Sequence, residues 1–102
     1  MNTVFERQEL VRFGHCDPAG IVFYPRYFEM FDANTNELFR AATGLDKRAI
    51  QARFGIVGWP MVDSRASFHA PATYGDEVTV STHVGRFGGS SIELLHRLSH
   101  AD

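Results

Sequence analysis

Residues 25–44, PRYFEMFDANTNELFRAATG, decide the fold. Pro25 suits the first position of a helix, because the N–H it lacks would have had no intrahelical partner. From Arg26 to about Ala42, residues Tyr27, Phe28, Phe31, Thr35, Leu38, Phe39 and Ala42 recur at i, i+3 and i+4 and share one broad face. Gly44 stands where a left-handed C-cap belongs. A helix this aromatic needs a sheet to cover it.

The flanking sequence supplies that sheet. Upstream, Val4 to Phe13 alternates imperfectly and reads as a strand. A turn cluster of Gly14, Asp17, Pro18 and Gly20 follows, then the apolar Ile21 to Tyr24. Downstream, Asp46 to Phe54 suits a second, short helix, and Gly55, Gly58 and Pro60 mark a loop. Met61 to His69 is expected to be a strand that ends before Pro71, and Gly75-Asp76 a turn. Glu77 to Val84 alternates cleanly, with Val78, Val80, Thr82 and Val84 on one face. Gly85, Gly88, Gly89 and Ser90 read as a loop, and Ser91 to Ser99 as the strand that closes a hairpin with Glu77 to Val84. One helix on one face of an antiparallel sheet is an α+β layout, expected to form a single domain over residues 1–102.

Composition narrows the function. The chain has 102 residues, 44% hydrophobic and 22% charged, with nine Phe. That much bulky apolar material in so small a chain favours an oligomer interface or an apolar pocket. A net charge of −2 without a basic run argues against nucleic-acid binding. The single cysteine, Cys16, permits no intrachain disulfide. The opening MNTVFERQELVRF lacks the apolar core of a signal peptide, and no apolar run suits a membrane span. A cytoplasmic protein with no membrane partner is the expectation.

Asp17 lies in an Asp-Pro-Ala-Gly turn just before the long helix. Asp before Pro is common turn chemistry. The helix start adds a second element. Phe23 and Tyr24 occupy the cap positions, and neither side chain can accept from the N–H groups of the first turn. A carbonyl oxygen or oxyanion could take those donors, with the helix dipole in its favour. A carboxylate beside such an end suits acyl transfer: the helix polarises the carbonyl, and the carboxylate attacks it or deprotonates water. His15, two residues away, is either a turn histidine or a group that tunes Asp17. Cys16 reads as a small buried or turn residue. His69, His83, His96 and His100 form no metal-ligand pattern. The Ser residues lack the glycine elbow of a serine hydrolase, and Arg65, Arg86, Arg97, Lys47 and Arg48 read as scattered solvated charge unless they bind phosphate.

The run FGHCDPAGIVFYPRYFEMFD, Phe13 to Asp32, resembles the opening of the 4-hydroxybenzoyl-CoA thioesterase family of hotdog-fold proteins. GIVGWPMV from Gly55 and SFHAPATYGDEV from Ser67 match the same family in order and spacing. The resemblance implies a hotdog fold, an antiparallel sheet wrapped around the long helix. It implies an acyl-CoA substrate, no metal or cofactor, and homodimers or homotetramers with active sites at the subunit interface. The family's catalytic aspartate falls on Asp17 and its carbonyl-polarising helix amide on Tyr24. The loop with Gly58, Trp59 and Pro60 resembles the one lining the acyl pocket across the dimer, and Asp32 matches an acidic position near the acyl ring.

The sequence departs from the aromatic-acyl pattern in three places. His15 replaces an acidic residue and Trp59 a small polar one. Gly88, Gly89 and Ser90 replace a basic run that holds CoA phosphates, leaving Arg86 as the nearest substitute. Relatives run longer, so one or more C-terminal strands are expected beyond this chain. The resulting expectation is an acyl-CoA thioesterase, with a hotdog hydratase relying on His15, or a non-catalytic acyl-thioester binder, as alternatives.

Overall fold

A computed structural model describes residues 4–56 and 58–101. Val57, inside the expected Gly55 to Pro60 loop, lies outside the described residues. The elements are β1 (Phe5–Leu10), a 3-10 turn (Phe13–His15), α1 (Pro25–Thr43), α2 (Lys47–Phe54), β2 (Glu77–Phe87) and β3 (Ile92–His100). The strands form one antiparallel sheet in the order β1-β2-β3. The long helix α1 lies across the face made by β1 and β2.

The alternation in β2 is realised as expected. Val78, Val80 and Thr82 are completely buried beneath α1. Register carries that face to both neighbours, since directly paired residues project to the same side. Val80 pairs with Leu98 and Thr82 with His96, while Arg7 pairs with Val80 and Glu9 with Val78. The imperfect pattern of β1 thereby gains an explanation. Its inner face carries Phe5, Arg7 and Glu9, so two charged groups point under the helix. They are paired: Arg7 Nη1 donates to Glu9 Oε1 at 2.7 Å, Nε to Asn34 Oδ1 at 3.2 Å, and Nη2 to the Met30 carbonyl at 3.4 Å.

Asn34 continues the chain of bonds, donating to Thr82 Oγ1 at 2.7 Å and to the Val80 carbonyl at 3.3 Å. Thr82 Oγ1 stands 2.7 Å from His96 Nδ1. The periodicity of α1 did not single out Asn34 or Met30, yet both are buried along with Tyr27 and Thr35. Phe39 and Ala42, expected on the covered face, are half-buried and exposed. The apolar core is Val11, Val22, Tyr27, Met30, Ala72, Val78 and Val80, with Cys16, Phe31 and Leu98 packed against it.

Two expectations about strands are corrected. β1 stops at Leu10, and Phe13 belongs to the 3-10 turn. Met61 to His69 forms no strand and is exposed throughout. A strand exists only through pairing, and no strand of this chain lies beside that segment among the described residues. Gly85, read as the start of a loop, lies inside β2, where the pairing register shifts between Val84 and Arg86. A bulge of that kind accommodates one extra residue and bends the strand.

Candidate active site

The segment before α1 folds into a small antiparallel hairpin. The Phe23 N–H donates to the His15 carbonyl at 2.9 Å, and the Asp17 N–H to the Ile21 carbonyl at 2.9 Å, with Cys16 bridged to Val22 between them. The Gly20 N–H closes the turn on the Asp17 carbonyl at 2.9 Å. Pro18 and Gly20 occupy the second and fourth turn positions that favour them, and Gly20 adopts φ 83, which a side chain would resist. Further bonds, Val22 N–H to the Ala72 carbonyl and Tyr74 N–H to the Gly20 carbonyl, fasten the hairpin to the segment ahead of β2.

Asp17 sits at the turn, partly exposed. Its Oδ1 accepts the Ala19 N–H at 2.8 Å, the expected Asx-turn bond. Its other carboxylate oxygen has no partner among the described residues. An open depression of about 470 Å³ surrounds it, lined by Phe13, Cys16, Pro18, Gly20 and Tyr74. Phe13 and Tyr74 stand edge to face there, at 6.0 Å between centroids. Cys16 is half-buried, with its thiol directed at the Arg12 carbonyl.

At the helix start, Tyr24 makes no side-chain cap and Pro25 follows at the first helical position. The expectation of several orphan donors needs correction. The Arg26 N–H donates to the Phe23 carbonyl at 2.8 Å and the Tyr27 N–H to the Tyr24 carbonyl at 3.1 Å. Such tight i→i+3 bonds are one of the ways helix ends satisfy themselves. Pro25 has no N–H and Phe23 is used by the hairpin, so the Tyr24 N–H is the donor left without a partner here among the described residues.

Sequence reasoning missed Phe68. It comes from the segment expected to be a strand and packs at the start of α1, with centroids 6.3 Å from Tyr24, 5.6 Å from Tyr27 and 6.4 Å from Phe28. More than half of its surface is exposed, which leaves an aromatic wall at the start of α1. The signal was present as an apolar residue in the SFHAP match, but nothing in it named α1 as the neighbour.

The other expected site residues lie apart within one chain. His15 turns its ring toward Arg12 and Glu9, with Nδ1 accepting the Arg12 N–H at 2.9 Å, and it does not line the depression around Asp17. Asp32 is exposed on α1, where Asn36 Nδ2 reaches its carbonyl. Phe31 stacks on His96 one position earlier, at 4.9 Å and 13°. Burial holds the His96 ring below the usual histidine range, with Asp32 pulling the other way. Trp59 packs on Phe39 at 4.8 Å, with Lys47 Nζ 5.3 Å above its ring. Phe39 is near the far end of α1 from Tyr24, roughly 22 Å away at a rise of about 1.5 Å per residue. Gly58, Trp59 and Pro60 therefore belong to the opposite end of the helix from Asp17. Arg86 is exposed at the β2 bulge. Among the described residues no three His, Cys, Asp or Glu side chains cluster in a way that could hold a metal ion, and no helix is long and apolar enough to cross a membrane.

Comparison with known proteins bears on the family and the fold. A family model described as the thioesterase-like superfamily matches residues 11–102. The chain is 36% identical over 92 residues to 4-hydroxybenzoyl-CoA thioesterase of Pseudomonas sp. strain CBS-3, covering 90% of this chain and 65% of that protein, so it spans a little under two thirds of that relative. It is 26% identical over 96 residues to 1,4-dihydroxy-2-naphthoyl-CoA hydrolase of Synechococcus elongatus, covering 94% of this chain and 70% of that one. The solved structure of a gentisyl-coenzyme A thioesterase superposes with a TM-score of 0.80 at 28% identity, over 97% of this chain and 76% of the other. The hotdog architecture expected from the sequence is borne out by that likeness.

Proposed function

The chain belongs to the thioesterase-like superfamily, and from that premise we propose that it acts as an acyl-CoA thioesterase, hydrolysing a thioester to a free carboxylic acid and CoA. The observation that carries this reading is the hairpin. It sets the Asp17 carboxylate, with one oxygen uncommitted, two residues along from the His15–Phe23 pair, and the unpartnered Tyr24 N–H follows directly on Phe23. The Tyr24 N–H thus lies about three residues of extended chain from the level of Asp17, on the order of 10 Å along the backbone, which one substrate can bridge.

In the proposed mechanism the thioester carbonyl oxygen accepts from the Tyr24 N–H at the positive end of α1. That interaction strengthens as negative charge develops on the oxygen, so it favours the transition state over bound substrate. Asp17 either attacks the carbonyl carbon to give a mixed anhydride that water then opens, or takes a proton from the attacking water. In both cases the carbon–sulfur bond breaks and CoA leaves as a thiolate, which then takes a proton. Phe68, Tyr24 and Phe28 would pack against the acyl group. The acyl-CoA relatives supply the substrate class, and the acyl group itself is left to experiment.

The acyl pocket of this reading needs two subunits. Gly58, Trp59 and Pro60 stand a helix length from Asp17 in one chain, and a second copy related by a two-fold axis would present them to it. Asp32 would meet the acyl ring and Arg86 a CoA phosphate in that dimer or in a pair of dimers. The proposal places the protein in the cytoplasm and requires no metal or cofactor.

The hydratase alternative depends on a free imidazole, and His15 has its Nδ1 committed to Arg12. The test is a panel of aryl and alkyl acyl-CoAs followed with a thiol reagent. Release of free CoA from an aromatic acyl-CoA is expected. Binding across the panel without thiol release would convert the reading to an acyl-thioester binder, and hydration of enoyl-CoA without thiol release would revive the hydratase.

A further inference from the structure

His15 joins three segments at the edge of the candidate site. Its N–H donates to the Arg12 carbonyl at 3.0 Å, while the Arg12 N–H donates back to His15 Nδ1 at 2.9 Å. This reciprocal pair closes the 3-10 turn Phe13–His15. On its other side, the His15 carbonyl accepts the Phe23 N–H, the first bond of the hairpin that carries Asp17. Because Nδ1 accepts an N–H, the neutral ring carries its proton on Nε2. That nitrogen faces Glu9 Oε2 at 3.9 Å, and Glu9 is held on the inner face of β1 by Arg7. Arg7 is itself anchored to α1 through Asn34 and Met30. A set of polar contacts thus runs from the middle of α1, through β1, to the 3-10 turn that precedes Asp17.

We propose that His15 is a positioning residue for Asp17: its Nδ1 locks the 3-10 turn through Arg12, and that lock sets the distance between the Asp17 carboxylate and the Tyr24 N–H. The inference rests on the thioesterase reading for its kinetic consequence, though not for its structural one. Two catalytic groups on opposite sides of a tight hairpin are sensitive to its base, because a misplacement on the order of 1 Å can cost a factor of about 100 in rate. Substrate binding, which uses other surfaces, is not affected in the same way.

The test compares three variants in the full chain. His15→Ala is expected to lower kcat by about 10-fold to 100-fold while KM and the thermal midpoint stay near wild type. His15→Asn puts an amide oxygen close to the Nδ1 position and restores kcat to within a few-fold (about threefold). His15→Gln puts its amide near the Nε2 position instead and does not restore it. Wild-type kcat in His15→Ala, or equal recovery by Gln and Asn, overturns the proposal. Asp17→Asn is measured alongside. If Asp17→Asn is inactive and His15→Ala is fully active, positioning fails and the thioesterase reading stands. If Asp17→Asn keeps its turnover, the role of Asp17 fails. Amide hydrogen exchange gives a readout independent of turnover. His15→Ala should speed exchange at the Asp17 and Phe23 amides and leave the β2–β3 amides unchanged, with His15→Asn restoring protection. Unaltered protection at both amides overturns the proposal whatever the kinetics.

Discussion

The α-helices α1 and α2 begin in different ways. α2 starts at Asp46, whose extended backbone and carboxylate form an N-cap, with Oδ1 accepting the Ala49 N–H at 2.8 Å. α1 starts at Tyr24, already helical at φ −55 and ψ −33, with no side-chain cap and a proline next to it. Among the described residues its donors are taken up by backbone carbonyls, apart from the Tyr24 N–H. The shorter, more exposed helix carries the stabilising device, and the long helix under which the core is built goes without one. Cap residues contribute about 1 kcal/mol to a helix. α1 has its buried face to hold it and can leave a donor open, whereas α2 buries only Ile50 and depends on its cap. A free amide at the positive end of a well-anchored helix is a place for an anion or a polarised carbonyl.

The largest effect that would break this contrast is expected at Asp17. Asp17→Asn should lower kcat by orders of magnitude, roughly 100-fold or more, while acyl-CoA binding remains, because a carboxylate that acts in the transition state adds little to ground-state affinity. Single-turnover thiol release and equilibrium binding of a non-hydrolysable acyl-CoA analogue separate the two; an Asn variant with normal turnover would assign the chemistry elsewhere.

The next effect addresses the amide itself. Tyr24→Pro removes the N–H, and the φ of −55 already fits a proline ring. Since that N–H has no partner among the described residues, its loss should cost little stability. It should lower kcat by about 100-fold, the scale of losing one oxyanion donor. Tyr24→Ala keeps the N–H and should lose less than about tenfold. Equal losses in the two variants would assign the role to the phenol ring rather than to the amide.

At the other helix the signs reverse. Asp46→Ala should cost about 1 kcal/mol of stability and lower the thermal midpoint by roughly 4–8 °C, with kcat unchanged. A calorimetric scan beside a thiol-release assay checks both. A loss of kcat without a loss of stability would abolish the contrast between the two starts.

The smallest expected effect separates the middle of α1 from its start. Burial lowers the His96 pKa from 6.5. Below pH 6.5 the unfolded chain takes up a proton that the folded ring resists, so the unfolded state binds more protons and stability falls as pH drops through that window. Urea midpoints should therefore decrease between pH 7.5 and 5.0, and His96→Phe should remove part of the slope. Asp76 does not confuse the measurement. Its pKa is lowered from 3.8, chiefly by the Thr73 N–H and then by the Thr73 hydroxyl, so its contribution is lost only at more acid pH. A slope identical in His96→Phe would mean that His96 does not titrate with unfolding.

Much of the fold could be read from residue order. Apolar spacing located α1 to within a residue of Pro25–Thr43, and Gly44 does terminate it at φ 75. Asp46 and Gly55 bracket α2, and the Glu77–Val84 alternation gave β2 its buried face. These signals are local, because a helix or a half-buried strand repeats its environment every few residues. The turn chemistry of Asp17, Pro18 and Gly20 was likewise visible as a turn.

What only the tertiary structure decided is which local signals meet. The inward Arg7 and Glu9 looked like a defect in an alternating strand until Asn34, 27 residues further along from Arg7, supplied the partner. Met61 to His69 carried a strand's pattern without a strand beside it. Phe68 reached the start of α1, and Trp59 its far end, across stretches with no periodic link to the helix. The sequence by itself determined α1, α2, the β2–β3 hairpin and the presence of a carboxylate before a helix without a side-chain cap. The pairing of Cys16 with Val22 and of His15 with Phe23 decided where that carboxylate lies relative to the Tyr24 amide. Propensity acts over neighbouring residues, whereas packing and hydrogen bonding act through space, so the site took shape only when the chain closed on itself.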